Sequence, residues 1–140
     1  MLFENIYLSL AGQDNESGLI AEAIRIVTEL NANLTVIHIN DPNAGMGHMM
    51  PDTNPKITKE EMMGYFIKAG FGAFVNEIIF RLFEGKPFAA AIAEVTRDAD
   101  LLIMGHHHKN LLKALLIHGI DERVADRIQC PVLLVPVTHE

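Results

Sequence analysis

Residues 98–137 read DADLLIMGHHHKNLLKALLIHGIDERVADRIQCPVLLVPV, and the order of their parts decides the fold. An apolar run at 101–104 stops at Gly105, and His106, His107 and His108 follow. Lys109 opens a basic, Leu-rich linker that closes at His118 and Gly119, after which Ile120 and Asp121 begin a helix-like segment. Residues 132–137 form a second apolar run. Strand, glycine loop, helix, strand is the order of a βαβ unit. In such a unit, backbone N–H groups and the positive end of the helix dipole point at one spot beyond the first strand. A candidate ligand site is therefore expected from Gly105 onward.

Upstream, the same alternation repeats. Residues 6–10 (IYLSL) predict a strand, and the turn-rich AGQDNESG after it offers Asp14, Asn15 and Ser17 as helix caps. Leu19, Ile20, Ala23, Ile24, Val27 and Leu30 recur with a 3.6-residue period, which predicts an amphipathic helix ended at residues 31–33. Residues 34–39 (LTVIHI) predict a second strand, parallel to the first through a right-handed crossover. Within it, His38 is expected to be a hydrogen-bonded core residue. Residues 41–56 carry Pro42, Gly45, Gly47, Pro51 and Pro55, so they predict a loop long enough to be a lid or a disordered segment. Its Met46, Met49 and Met50 suit either an adaptable partner surface or filling over the sheet. Thr58 and Glu61 form a capping box for a helix at 59–72, which Gly64, Gly70 and Gly72 interrupt. Residues 78–83 predict the third strand, and Pro87 suits the first position of a helix with Phe88, Ala91, Ile92 and Val95 on its apolar face.

Composition narrows the function classes. The chain of 140 residues is read as one domain, residues 1–140, able to bury roughly two thirds of its unfolded surface. Its net charge of −7 argues against binding nucleic acid or an anionic membrane. A single Cys130 leaves no intrachain disulfide and fits a reducing cytoplasm. No basic leader and no apolar run of spanning length are read in the sequence. Catalysis finds no support, because no serine or cysteine nucleophile stands beside a histidine in a strand-loop-helix context, and Cys130 before Pro131 is expected to be buried structure.

With ADLLIMGHHH, then nine residues between His108 and His118, then IDERVADRIQCPVLLVPV, the chain resembles the universal stress protein family. The resemblance implies an α/β fold: a five-stranded parallel sheet of order 3-2-1-4-5 with helices on both faces. Its crevice lies between the first and fourth strands, the switch point where such sheets bind ligands. Members that bind ATP carry glycine, two residues, glycine, nine residues, then glycine followed by serine or threonine. Here those positions are Gly105, His108, His118 and Gly119, so one of four matches. Such members also place an aspartate after the first strand, where this chain has Ala11. Paired histidines directly after the first glycine resemble the branch that lacks nucleotide binding.

What the resemblance implies is a cytoplasmic stress-response or regulatory module without tight ATP binding. An adenine-nucleotide switch or slow ATPase, taking ATP or AMP, is the alternative. The family crevice maps here onto Ala11, Gly12, Ile39, Gly105, His106, His107, His108, Lys109, His118, Gly119, Ile120 and Asp121. A third reading makes the histidines, with His48, a transition-metal site, although consecutive residues point in different directions and no CxxC or HExxH supports it. Finally, the fifth strand is an apolar edge, and in relatives it pairs across a twofold axis. A homodimer through Val132, Leu133, Leu134 and Val135 is therefore expected.

Overall fold

The computed structural model describes residues 3–12, 16–40, 56–85, 88–107 and 128–137. Five strands, β1 (Asn5–Ser9), β2 (Asn33–Asn40), β3 (Ile79–Glu84), β4 (Leu101–His107) and β5 (Val132–Val137), form one parallel sheet of order β3-β2-β1-β4-β5. The helices are α1 (Ser17–Leu30), α2 (Lys59–Lys68) and α3 (Phe88–Val95), with a 3-10 turn at Gly72–Glu77. The strand order is the one the resemblance implied. The helix expected between β4 and β5 lies outside the described residues, as do residues 41–55 and the cap candidates Asp14 and Asn15.

Period-2 alternation divides the strands between two cores. Ile6, Leu8 and Leu10 with Leu34, Val36, Phe80, Leu101 and Ile103 face α1 and α2, which contribute Leu19, Ile20, Ala23, Ile24, Val27, Met62 and Phe66. Tyr7, Ile37, Ile39, Leu102 and Met104 face α3 through Ile92, joined by the half-buried Ile128 and Cys130. Helices thus cover both faces. Phe66 meets Phe80 edge to face with ring centroids 5.4 Å apart, and its full burial contributes roughly 1.5–3 kcal/mol. Of the apolar positions predicted for α1, all are buried except Leu30, which lies at the helix end and is 46% exposed.

Local signals account for most of the boundaries. Thr58 caps α2 as its spacing predicted, accepting the Glu61 N–H at 3.1 Å. The helix stops at Lys68 rather than at 72, because Gly70 takes φ +95 and redirects the chain into the 3-10 turn. Asn31, at φ 53, ends α1 in the left-handed conformation. Ser17, offered by the sequence as a cap, is instead the first residue of α1, and Glu16 occupies the cap position without a side-chain capping bond.

Candidate functional site at the strand ends

Parallel pairing sets the C-terminal ends of β2, β1 and β4 side by side. Ser9 pairs with both Ile37 and Met104, so Ala11 and Gly12 leave the sheet beside Ile39 and Asn40 on one flank and Gly105, His106 and His107 on the other. Ala11 is exposed, Gly12 half-buried and Ile39 buried against the α3 face. Gly105 pairs with Val135 and is half-buried, and the strand does not stop there as its sequence suggested: β4 runs on through His106 and His107 because their backbone stays paired with Pro136 and Val137 of β5. His108, Lys109, His118, Gly119, Ile120 and Asp121 lie outside the described residues.

Of the turn after β1, Ala11, Gly12 and Glu16 are described. Gly12 has φ +82, and a Cβ there would lie 2.8 Å from Cγ1 of Ile57, so both backbone conformation and space call for glycine. Two consecutive N–H groups of this turn meet one carboxylate. Ala11 N–H donates to Glu16 Oε2 and Gly12 N–H to Oε1, each at 2.9 Å. Glu16 is 2% exposed. The sequence reading missed it, having found only that the family aspartate is Ala11. A carboxylate does stand at this turn, but it is turned inward and hydrogen-bonded to backbone. The legible signal was a glutamate four residues beyond a turn glycine, just ahead of a helix.

Behind the turn, a polar network links β1, β2 and the segment entering α2. His38 Nδ1 lies 2.6 Å from the Leu10 carbonyl oxygen, which can only accept, so Nδ1 carries a proton. Its Nε2 faces Asn40 Oδ1 at 3.1 Å. Asn40 in turn accepts the Ile57 N–H and donates to the Ile57 carbonyl, both at 3.0 Å, which fixes the orientation of its amide. This pairing seats Ile57, 5% exposed, over Gly12. His38 is the hydrogen-bonded core histidine expected from its place in the strand.

Other polar sites lie elsewhere. Tyr7 donates to Asp98 Oδ1 at 2.7 Å, and burial, reinforced by that carboxylate, pushes its pKa up to about 12. A cavity of about 540 Å³ lies over β3, lined by Arg81, Phe83, Glu84, Ala91, Glu94, Val95 and Asp98. Among the described residues, no crevice position lines it. Cys130 is half-buried, and burial raises its thiol pKa, which keeps it protonated and poorly nucleophilic. Among the described residues no group of three His, Cys, Asp or Glu could hold a metal ion, and no helix is long and apolar enough to cross a membrane.

The sequence matches the model of the universal stress protein family over residues 3–136. It is similar to the universal stress protein MJ0531 of Methanocaldococcus jannaschii, 28% identical over an alignment of 143 positions that covers 96% of this chain and 82% of that protein. Among solved structures, a universal stress protein in complex with cAMP superimposes with a TM-score of 0.69 at 21% identity, over 99% of this chain and 100% of the other. One from Archaeoglobus fulgidus in complex with dAMP gives 0.56 at 14% identity, over 96% and 98%. At these identities the structural likeness establishes the fold.

Proposed function

We propose that this chain, which belongs to the universal stress protein family, works as a single-domain cytoplasmic regulatory module that binds ATP no better than weakly. One observation carries the reading. Where ATP-binding members place an aspartate, this chain has Ala11, and the N–H groups of Ala11 and Gly12 already serve the buried Glu16. The sequence of the phosphate loop points the same way, since His108 and His118 stand at glycine positions and Gly119 supplies no hydroxyl. Lost hydrogen bonds to charged phosphate oxygens cost roughly 1.5–3 kcal/mol each, so two or three such losses erase a micromolar site.

Equilibrium dialysis with labelled ATP tests this. The expected dissociation constant is about millimolar or weaker, equivalent to about 4 kcal/mol of binding free energy or less. A variant combining Ala11→Asp, His108→Gly, His118→Gly and Gly119→Ser should bind more tightly. Micromolar binding by the unmodified chain would overturn the reading and favour an adenine-nucleotide switch instead. That second reading draws on the solved relatives described as complexes with cAMP and dAMP.

The same module is proposed to be a homodimer through β5. Leu133 and Leu134 are 38% and 40% exposed on an edge strand that carries no charge. An uncovered apolar edge is an aggregation hazard, and pairing with a second copy satisfies its outer backbone groups. Pro136 limits the length of that ladder. Sedimentation should show a dimer at micromolar concentration, and a Leu134→Lys chain should sediment as monomer.

A further inference from the structure

On the side of the sheet where α3 packs, edge strand β3 borders a cavity. Arg81 and Phe83 pair with Ile37 and Ile39 and so belong to the α3 face, where Ile92 packs with the inner strands. Between β3 and α3 the cavity measures about 540 Å³, within the roughly 300–1,000 Å³ of small-ligand sites. Phe83, Ala91 and Val95, all half-buried, give it apolar walls. Its charged groups are fixed in different ways. The Arg81 guanidinium lies over the Phe83 ring, 5.3 Å from the centroid, and a stacked guanidinium presents its N–H donors at the edge of its plane. Asp98 is anchored by the buried Tyr7, whose hydroxyl donates to Oδ1 at 2.7 Å. Glu94 lines the same space from α3. Among the described residues, none of these three charges has an ion pair, whereas Glu84, the remaining charge of the lining, is matched by Lys56 at 3.3 Å.

One guanidinium and two carboxylates without ion pairs call for the opposite set in a ligand, one carboxylate and two cationic groups joined by an apolar stem. We propose that this cavity binds a free basic amino acid of the lysine type. The ligand carboxylate meets the fork of Arg81, for which its planar geometry is suited. Its two ammonium groups pair with Glu94 and Asp98, and its methylene chain lies along Phe83 and Val95. Two carboxylates against one guanidinium leave the lining a single negative charge, and such a ligand carries a single positive one. The site is separate from the crevice, because its residues come from β3, α3 and the turn after α3.

Titration of the full chain with lysine, followed by nuclear magnetic resonance, tests this against sodium chloride of equal ionic strength. Lysine at about 10 mM, enough to fill a site of about millimolar affinity, should shift the amide signals of Phe83, Glu94 and Val95 saturably. Two probes each lack one group: cadaverine is lysine without its carboxylate, and norleucine is lysine without its ε-ammonium. Each should bind about fivefold more weakly, the effect of one partly solvated ion pair. Glu94→Gln should weaken lysine by a similar factor. Arg81→Gln should bring lysine down to the level of cadaverine and leave cadaverine no weaker than before. Both substitutions fall on exposed side chains, so the fold is retained. No saturable shift beyond the chloride control, equal binding of lysine and cadaverine, or unchanged lysine affinity in either variant would overturn the proposal. Micromolar ATP binding would sink the reading of weak nucleotide binding and leave this one standing.

Discussion

Strand β1 is held at both ends by a carboxylate that accepts two consecutive backbone N–H groups, yet the two clamps differ in origin and surroundings. At the N-terminal end, Asp100 Oδ2 accepts from Glu4 and Asn5 at 2.9 and 2.8 Å, across 96 and 95 residues of sequence and in contact with solvent. At the C-terminal end, Glu16 accepts from Ala11 and Gly12 across only five and four residues, and is 2% exposed. The Asp100 clamp joins chain segments that are distant in sequence. It is reinforced by the Asp100 N–H to the Asn5 carbonyl at 2.8 Å, which fixes where β4 starts against β1. Glu16 joins a strand to its own following helix. Water competes for the first and is excluded from the second, so the same bonding chemistry supports register at one end and a defined turn at the other.

The largest expected effect follows from that difference in burial. Glu16→Ala leaves two turn N–H groups without their acceptor and should lower stability by about 3 kcal/mol, read from urea unfolding midpoints. A loss no greater than that of an exposed substitution would mean that the buried clamp contributes no more than its exposed counterpart. Next comes Gly12→Ala, which places a Cβ in the left-handed region and 2.8 Å from Ile57, with an expected loss of about 2 kcal/mol. The same substitution at Gly64, which has open space around it, is the control and should be neutral or stabilising.

Midway along β1, on the opposite face, Tyr7→Phe removes the bond to Asp98 and should lower stability by about 1–2 kcal/mol. Because the folded pKa of Tyr7 is raised from 10.0 to about 12, its contribution is complete below the lower value and is lost as pH rises toward the upper one. Alkaline unfolding of the phenylalanine chain should lack that component. The smallest effect is expected at the exposed clamp. Bonds from the Asn5 and Glu4 N–H groups hold the Asp100 carboxyl below its ordinary value. Its stabilisation is therefore present above the ordinary carboxylate range and lost as pH falls through the depressed value. Asp100→Asn should unfold slightly earlier than the parent at neutral pH, and the two curves should merge in acid.

Much of the fold was legible in the residues. The helical period from Leu19 to Val27 matched the buried stripe of α1, and Thr58 with Glu61 marked the start of α2. Apolar runs located four of the five strands to within about a residue, because side-chain alternation is a property of the strand itself, whereas β4 continues three residues past its apolar run because its backbone stays paired with β5. At the candidate site less could be read. His38 was placed in the core, but its bonds to Leu10 and Asn40 were not foreseen. The family pattern marks Ala11 as the place of a missing aspartate and carries no sign of the glutamate that reaches the same turn.

What the sequence by itself determined is the set of elements, their alternation and, through the resemblance carried by residues 98–137, the family to which the chain belongs. Those features depend on periods of two and 3.6 residues and on local caps, which any stretch of chain displays before it packs. Only the tertiary structure decided that Asp100 closes the foot of β1, that Glu16 turns inward at its head and that Asn40 seats Ile57 over Gly12. The reason is that a carboxylate or amide has no preferred partner along the chain. Its partner is the backbone group that the sheet register and a positive φ bring within 3 Å while water is excluded.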